Sequence, residues 1–206
     1  MFWRSKSEDG GTPEANFWSW FQRNEARLFD LEQDLEQIFD ELSAAMQNVN
    51  ADLTFEFSPV REDGKREFVI SAGGIKAAFP AVEALYEAAP TLNRWQWVKF
   101  RPRQSERTDI TFGERTIPFE EVHYLMAKDY DKIGIVLFFD GYSEEERSVF
   151  GNIGYLYLDQ VLGEYAVETQ IGFIEFHSRE SQYFIQARPL SDLQSHFDEQ
   201  RPRTPH

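Results

Sequence analysis

The sequence has no cysteine and no long apolar segment. Without cysteine among its 206 residues, the chain cannot form disulfides, use a thiol nucleophile or bind metal through thiolates. Its longer apolar runs, such as residues 133–139, are far shorter than the roughly 20 residues of a membrane-spanning helix. The opening residues, MFWRSKSEDGG, also lack the apolar stretch of a signal peptide. We therefore predict a cytoplasmic protein that does not bind membranes.

The motifs of several large enzyme classes are also absent. The sequence contains neither G-x-x-x-x-G-K-[ST] nor G-x-G-x-x-G, which bind nucleotide phosphates, and no G-x-S-x-G nucleophile elbow. Its four histidines include no pair at zinc-ligand spacing, and Asp129, Asp131 and Asp140 do not fit a calcium-binding loop. These absences predict a protein without a cofactor or a bound metal, and they favour a non-enzymatic role.

Positive charge is scarce. Against 36 aspartates and glutamates stand 21 lysines and arginines, so the net charge is −15 and the pI is about 4.7. Because a polyanion repels nucleic acid and anionic lipid, we predict that neither is a partner. Two interpretations of the charge stay open. It either keeps copies of the protein apart in solution, or it forms an acidic surface that docks a basic protein.

One short stretch is basic, namely RPRQSER at residues 101–107, with Arg94 and Lys99 just before it. Arginine beside Trp95 and Trp97 could bind phosphates or stack on bases. In so acidic a chain, pairing of these cations with the acidic N-terminal helix is the favoured interpretation.

A helical pattern occurs twice in the chain. The spacing F-x-x-[V/I]-x-x-L-Y, one apolar face of a helix, starts at Phe79 and again at Phe150, 71 residues later. Two strand-like runs precede each copy and one follows it, and a strong Asp63–Gly64 hairpin signal lies before the first. The sequence therefore predicts two β-β-α-β units in tandem, at about residues 52–100 and 121–176.

The N-terminal segment predicts a long helix over residues 13–49. Thr12 is a suitable N-cap before Pro13, and apolar residues then recur at spacings of three and four. Two interpretations are open for the resulting apolar seam. It covers a sheet of the same chain, which is favoured, or it pairs two copies of the protein in a homodimer.

Together these patterns predict an α+β fold with a mainly antiparallel sheet and a short C-terminal helix. We expect residues 13–199 to form one domain of two pseudo-repeats behind the N-terminal helix. The segments 1–12 and 200–206 are expected to be disordered.

Only two histidines fall within the predicted core region, and each has acidic neighbours. His123 follows Glu121 closely, and His177 follows Glu175. If the first and last strands of the second unit were neighbours, these groups could converge as a two-histidine, carboxylate metal site or an acid–base pair. The favoured interpretation is that they are polar residues on solvent-facing strand positions.

Three segments, NFWSWFQRNEARLF, AFPAVEALYEAAPTLNRWQWVKFRPR and GYLYLDQVLGEYAVETQIGFIEF, resemble a family of uncharacterised bacterial cytoplasmic proteins. That family shows a W-F-x-x-N-E-type helix, an A-F-P helix with a W-x-V-x-x-F-R-P strand, and a Y-x-x-L-D-x-x-L-G-E helix. The resemblance implies no activity and no catalytic residue. It directs attention to Asn24–Glu25, Arg101–Pro102 and Gly163–Glu164.

The favoured functional hypothesis is a non-enzymatic protein-binding or regulatory protein of the adaptor, inhibitor or toxin-immunity kind. The alternative is a small-ligand-binding protein or hydrolase-like enzyme with a pocket between the two β-β-α-β units. Candidate binding residues for the two hypotheses are Asn24, Glu25, Trp95, Trp97, Arg101, Arg103, Glu121, His123, Glu175 and His177.

Overall fold

The structure is a computed structural model that describes residues 11–200, and it divides into two compact units. Unit 1 ends at Phe100 and unit 2 begins at Arg101. The helices are α1 (Pro13–Phe29), α2 (Leu35–Gln47), α3 (Phe79–Glu87), α4 (Arg147–Leu162), α5 (Glu164–Gln170) and α6 (Leu193–Gln200). The strands are β1 (Thr54–Phe57), β2 (Arg66–Ser71), β3 (Trp95–Lys99), β4 (Ile110–Phe112), β5 (Arg115–Ile117), β6 (His123–Asp129), β7 (Lys132–Phe139), β8 (Ile171–Ser178) and β9 (Arg188–Pro189). Most of the residues predicted to be disordered lie outside the described part, namely 1–10 and 201–206.

Both units have the predicted β-β-α-β order, so the α+β fold is confirmed. In unit 1, β2 pairs antiparallel with β1 and, after α3, parallel with β3. In unit 2, β7 pairs antiparallel with β6 and, after α4 and α5, parallel with β8. The short strand β9 extends this second sheet beyond β6, and a separate hairpin of β4 and β5 precedes it. The sheets are therefore mixed, with antiparallel pairs in the majority.

The predicted 13–49 helix is two helices rather than one, which corrects the sequence prediction. Thr12 caps α1 as expected, because its Oγ1 accepts a hydrogen bond from the backbone N–H of Ala15, with an N···O distance of 3.2 Å. Asp34 interrupts the helix with φ −155° and ψ 57°, between a 3-10 turn and α2. The chain folds back there, so that Arg27 of α1 pairs with Glu41 of α2 at 3.0 Å. The apolar spacing of three and four continues past Asp34, so the sequence pattern did not indicate the break.

The apolar seam of this segment is used within unit 1. Leu28, Leu31, Ile38 and Leu42 are buried in the core of the unit, whereas Leu35 is exposed. The seam therefore covers the sheet of its own chain, as the favoured interpretation held. A homodimer stays a prediction, but these residues are no longer available to form it.

The core of unit 1 packs its helices against one face of its sheet, and that core is aromatic. Phe57, Phe68 and Trp97 are opposite one another on β1, β2 and β3, which places them on the same face. The ring of Phe21 on α1 lies 5.3 Å from that of Phe68 and 5.3 Å from that of Trp97. The first contact is tilted and the second is edge-on, and ring contacts of this kind add to the free energy gained by burial.

The core of unit 2 lies between its sheet and the helices α4 and α6. Tyr124, Leu137, Phe150 and Phe197 are among its fully buried residues. Gly154 of α4 lets the helix approach the sheet, since a Cβ there would lie 2.5 Å from the ring of Phe176. Close packing therefore explains a glycine in mid-helix, where it otherwise costs stability.

The two repeat helices bury their shared pattern differently at its last two positions. In α3, Leu85 is buried and Tyr86 is half-buried, whereas in α4 Leu156 is exposed and Tyr157 is buried. Tyr157 turns inward because its hydroxyl donates to the carbonyl of Ile117 in the β4–β5 hairpin. That hairpin has no counterpart among the described residues of unit 1.

Two smaller predictions from the sequence, a capping box at residues 143–146 and an edge strand over residues 183–187, were wrong. Ser143 makes no capping hydrogen bond, and a 3-10 turn over residues 144–146 precedes α4. The 183–187 segment is a 3-10 turn rather than an edge strand, and the edge strand β9 follows it. The predicted short C-terminal helix is confirmed as α6, which follows a 3-10 turn over residues 190–192. In residues 11–200, no helix is both long and apolar enough to span a bilayer.

Candidate functional site

The candidate tryptophans of unit 1 are part of its core. Trp95 is buried and stacks on Trp97 with their ring centroids 5.8 Å apart. The indole N–H of Trp97 donates to the carbonyl of Pro90 at 2.6 Å. Both rings therefore stabilise the sheet and its connection to α3, and they do not form an open stacking platform for bases.

Glu25 on α1 accepts hydrogen bonds from Arg94 and Trp95, at the start of β3. The indole N–H of Trp95 donates to its Oε1 at 2.9 Å, and the guanidinium of Arg94 lies at the same distance. Burial disfavours ionisation of this carboxyl, but the hydrogen bonds from Arg94 and Trp95 outweigh burial and lower its pKa. Asn24 beside it donates to the carbonyl of Trp20 at 2.9 Å. Glu25 thus holds α1 against the start of β3, whereas the hydrogen bond of Asn24 lies within α1 itself.

The arginines of residues 101–107 bind the C-terminal end of α4. Arg103 donates through Nε to the carbonyl of Leu162 at 3.0 Å, and Arg107 donates to that of Gln160 at 3.0 Å. Cations at this end of a helix donate hydrogen bonds to its free carbonyls and interact favourably with its dipole. The predicted pairing with the N-terminal helix therefore holds for Arg94, whose partner is Glu25, and is wrong for Arg103 and Arg107.

The segments Arg101–Pro102 and Gly163–Glu164, singled out by the resemblance, meet in unit 2. The amide of Arg101 donates to Oε2 of the buried Glu164 at 3.0 Å, and the amide of Glu164 donates to the carbonyl of Arg101 at 3.0 Å. Gly163 has φ 81°, and a Cβ there would lie 3.3 Å from the Arg101 carbonyl. Only glycine permits both this backbone conformation and this approach without strain.

Asp159 adds a second carboxylate to this junction. Its Oδ2 lies 3.4 Å from Nη1 of Arg101. Burial raises the pKa of Asp159 to about 7, and the nearby cation of Arg101 lowers it by less. Asp159 therefore holds its proton in the folded protein at mildly acidic pH.

His123 and His177 are not on neighbouring strands, so the arrangement that a shared site required is absent. His123 on β6 and His177 on β8 are opposite the same residue, Phe138 of the intervening strand β7. Two strand spacings of about 4.8 Å separate their backbones. His177 contacts Glu175 at 3.3 Å, and His123 contacts the carbonyl of Glu121 at 3.2 Å. Within residues 11–200, no group of three or more possible ligands could hold a metal ion.

The histidines belong to the sheet face that turns away from α4 and α6, which we call the outer face of unit 2. By strand register it carries three rows of residues, namely His123, Phe138 and His177, then Leu125, Val136 and Glu175, then Ala127, Gly134 and Phe173. None of these residues is in the core between the sheet and the helices. The first row is covered in part by Phe184, whose ring lies 5.1 Å from that of His123.

The candidate residues of unit 2 therefore lie in two places. Arg101 and Arg103 are at the end of α4, on the helix side of the sheet, whereas His123, Glu175 and His177 are on or beside the outer face. Two surface grooves, of about 580 and 630 Å³, are lined by residues of the 59–63 loop and of the β4–β5 turn with Glu146 and Val149. Neither groove includes a predicted site residue.

Sequence reasoning missed the exposed apolar residues near the ends of the outer face. Tyr183 and Ile185 project from the 3-10 turn that carries Phe184, and Ile185 is 89% exposed. Tyr130 is 90% exposed at the tip of the β6–β7 hairpin. The flanking aspartates of Tyr130 signalled a turn, but nothing in the sequence told that its ring would point into solvent.

Comparisons with protein-family models, with curated proteins and with solved structures find no match to this chain. Its function is therefore inferred from its own geometry, and the family resemblance stays a prediction.

Proposed function

We propose that this chain is a cytoplasmic, non-enzymatic regulatory protein that binds a basic protein partner through the outer face of unit 2. The observation that carries the proposal is the one-sided packing of the unit 2 sheet. The residues of α4 and α6 pack against the face of Tyr124 and Leu137, and those of the outer face are absent from that core. Leu125, Val136 and Phe173 on the outer face are apolar and only half-buried.

The charge around this face supports a basic partner. Glu121, Glu175 and Glu180 are exposed on or beside it, in a chain whose net charge is −15. Complementary charge speeds the encounter of two proteins and disfavours wrong partners, and apolar contacts then supply most of the affinity. A fitting partner has an apolar patch surrounded by lysine or arginine.

The exposed residues near the ends of the face support the same function. Tyr183 and Ile185 lie near its His123 end, because Phe184 between them contacts His123. Tyr130 lies at the opposite end of β6. Exposed tyrosine supplies apolar area and a hydrogen-bonding hydroxyl at small entropic cost, which is why it is frequent at protein interfaces.

The hypothesis of a small-ligand-binding or hydrolase-like protein has less support. Such a site needs Arg101, His123 and His177 to converge on one substrate. Arg101 is hydrogen-bonded to Asp159 and Glu164 on the helix side of the sheet, whereas the histidines belong to the outer face.

The test is capture of partners from a lysate of the source organism by three forms of the protein. These are the natural chain, Val136→Lys at the centre of the outer face, and Asn152→Lys as a matched control. Asn152 is exposed on α4, on the helix side of the same unit. The natural chain and the control should capture the same protein, Val136→Lys should lose it, and added salt should weaken the capture because charge guides the encounter.

Two outcomes would contradict the proposal. One is equal capture of the same proteins by Val136→Lys and by the natural chain. The other is a small molecule that remains bound in native mass spectrometry and that Arg101→Gln releases, which would favour the ligand-binding hypothesis instead.

A further inference from the structure

We infer that strand β8 pairs with the β8 of a second copy of this chain and forms a two-fold symmetric dimer with one continuous sheet. The inference concerns the free edge of the sheet and a second copy as occupant. It is independent of the partner proposed for the outer face.

Strand β8 ends the sheet of unit 2, and its far edge has unpaired backbone groups. The order of the sheet is β8-β7-β6-β9, so β8 has one strand neighbour. The amide of Arg179, just after β8, donates to the carbonyl of Phe139 on β7. Because backbone groups alternate in direction along a strand, those of Ile174 and Phe176 point away from β7. Among the residues the structure describes, none bonds to them on that side.

This edge has few of the features that usually protect an edge strand, since its pairing irregularity is confined to its start, between Ile171 and Phe173, and its one acidic residue is Glu175. Natural sheets protect their edges with lysine, proline or very short strands. The edge strand β3 of unit 1 contains Lys99, and β1 has only four residues. The β8 sequence, IGFIEFHS, runs for eight residues with no lysine, arginine or proline. Strand addition at such an edge supplies main-chain hydrogen bonds at once.

The side chains of β8 select a second copy as the occupant. In an antiparallel pairing centred on Phe176, Glu175 of each copy lies opposite the His177 of the other. Both side chains are partly exposed, at 58% for Glu175 and 38% for His177. Moving the centre to Glu175 would instead set the two Glu175 carboxylates against each other. The register that sets each carboxylate opposite an imidazole, which can donate a hydrogen bond to it, is therefore also self-complementary, as a two-fold interface requires.

In this pairing the contact between Glu175 of one copy and His177 of the other forms twice, once on each side of the two-fold axis. Phe176 of each copy would exchange both main-chain hydrogen bonds with its symmetry mate, because its N–H and C=O point outward. The two outer faces would then lie side by side on one sheet, with Glu175 and His177 at the seam.

The test measures the mass of the isolated protein by native mass spectrometry and by light scattering across a concentration series. The natural chain should reach twice its mass of 24.2 kDa. Glu175→Lys and His177→Glu each place like or unmatched charges across the axis, so each should weaken the dimer about tenfold or more. The double variant places a lysine opposite a glutamate across the axis and should recover the dimer.

Hydrogen exchange supplies a second measurement. A peptide covering 171–178 should exchange more slowly in the dimer than in either single variant, because pairing protects the amides of Ile174 and Phe176. Far-UV circular dichroism checks that the single variants are folded, which the exposure of both side chains favours.

A monomer at every concentration would overturn the inference. So would a dimer whose stability does not respond to either single substitution, and so would protection of β8 that appears only when a different protein is bound. These readouts use the isolated chain, so their failure is distinct from failure to capture a basic partner.

Discussion

Arg101 and Glu164 form a reciprocal pair of hydrogen bonds: the amide of each donates to an oxygen of the other, and both N···O distances are 3.0 Å. The carboxylate of Glu164 is fully buried. In this pair a carboxylate serves as the acceptor for a main-chain amide that no regular secondary structure would satisfy. The pair fixes the start of unit 2 to the junction of α4 and α5, beside the arginines that bind the end of α4.

Replacing Glu164 with alanine should therefore destabilise unit 2. The change leaves the Arg101 amide without its carboxylate acceptor, and an unsatisfied buried donor costs about 1–3 kcal/mol. Urea unfolding followed by far-UV circular dichroism measures this loss. Glu164→Gln is the matched control, since it keeps an oxygen of the same reach and should lose less stability than the alanine variant. Equal stability of Glu164→Ala and the natural chain would contradict the role assigned to this carboxylate.

Asp159 should make the folded protein less stable as pH rises from about 4 to about 7. Its pKa is raised from 3.8 to about 7 in the folded chain, so within this window the folded state binds more protons than the unfolded state. Stability falls with rising pH under that condition. The full effect is at most about 4 kcal/mol, at 1.36 kcal/mol per pKa unit. Above pH 7 the penalty is complete and constant.

The comparison of the natural chain with Asp159→Asn isolates this effect, because the other carboxyl groups titrate alike in both proteins. Unfolding free energies measured at several pH values should show the advantage of the natural chain over the variant shrinking from pH 4 to pH 7. A difference between the two proteins that stays constant over this range would show that Asp159 titrates in the same way in both states.

The sequence predicted elements whose cause is local and missed pairings whose cause is distant. The two strand-helix-strand units were readable because alternation and helical spacing are properties of neighbouring residues. The partner of the Arg101 amide, Glu164, lies 63 positions away, and no local pattern links them. Charge balance alone suggested the N-terminal helix as the partner of the arginines, but Arg103 binds the carboxylate of Asp198 and the carbonyl of Leu162, and Arg107 binds the carbonyl of Gln160.

The break between α1 and α2 is a second feature that local spacing could not predict. Leu28, Leu31 and Ile38 keep the spacing of one continuous helix, yet the chain turns at Asp34. The turn is stabilised by contacts that spacing does not encode. Arg66 of β2 pairs with Glu32 in the turn, and Arg27 pairs with Glu41 across the two helices. In the same way, His123 and His177 were placed on neighbouring strands only by assumption, and β7 separates them.

Alanine at Gly154 and at Gly151 should have opposite effects, although both glycines are in α4. Either change gains up to about 1 kcal/mol of helix propensity. At Gly154 the new Cβ would lie 2.5 Å from the ring of Phe176 and 3.1 Å from Leu137, so an overpacking cost of about 1–3 kcal/mol should outweigh the gain. At Gly151 the nearest atom is at 3.6 Å, an ordinary contact, and the variant should be more stable.

Thermal unfolding of the two variants measures this contrast. A double variant, Gly154→Ala with Phe176→Leu, should lose less than the sum of its single changes, because the smaller side chain makes room for the methyl group. If Gly154→Ala were as stabilising as Gly151→Ala, the close approach of α4 to the sheet would not be what requires glycine there.

Tyr130 should be replaceable by glycine with a gain in stability. It is the first residue of the two-residue turn between β6 and β7, with φ 54°, and its side chain is 90% exposed. A non-glycine residue in this left-handed region costs about 1–2 kcal/mol, of which the greater flexibility of unfolded glycine cancels part. Tyr130→Gly should therefore raise the unfolding free energy by about 0.5–1 kcal/mol. Tyr130→Ala removes the same ring but keeps the strain, so it should leave stability unchanged, and a gain equal to that of glycine would trace the effect to the ring instead of the backbone.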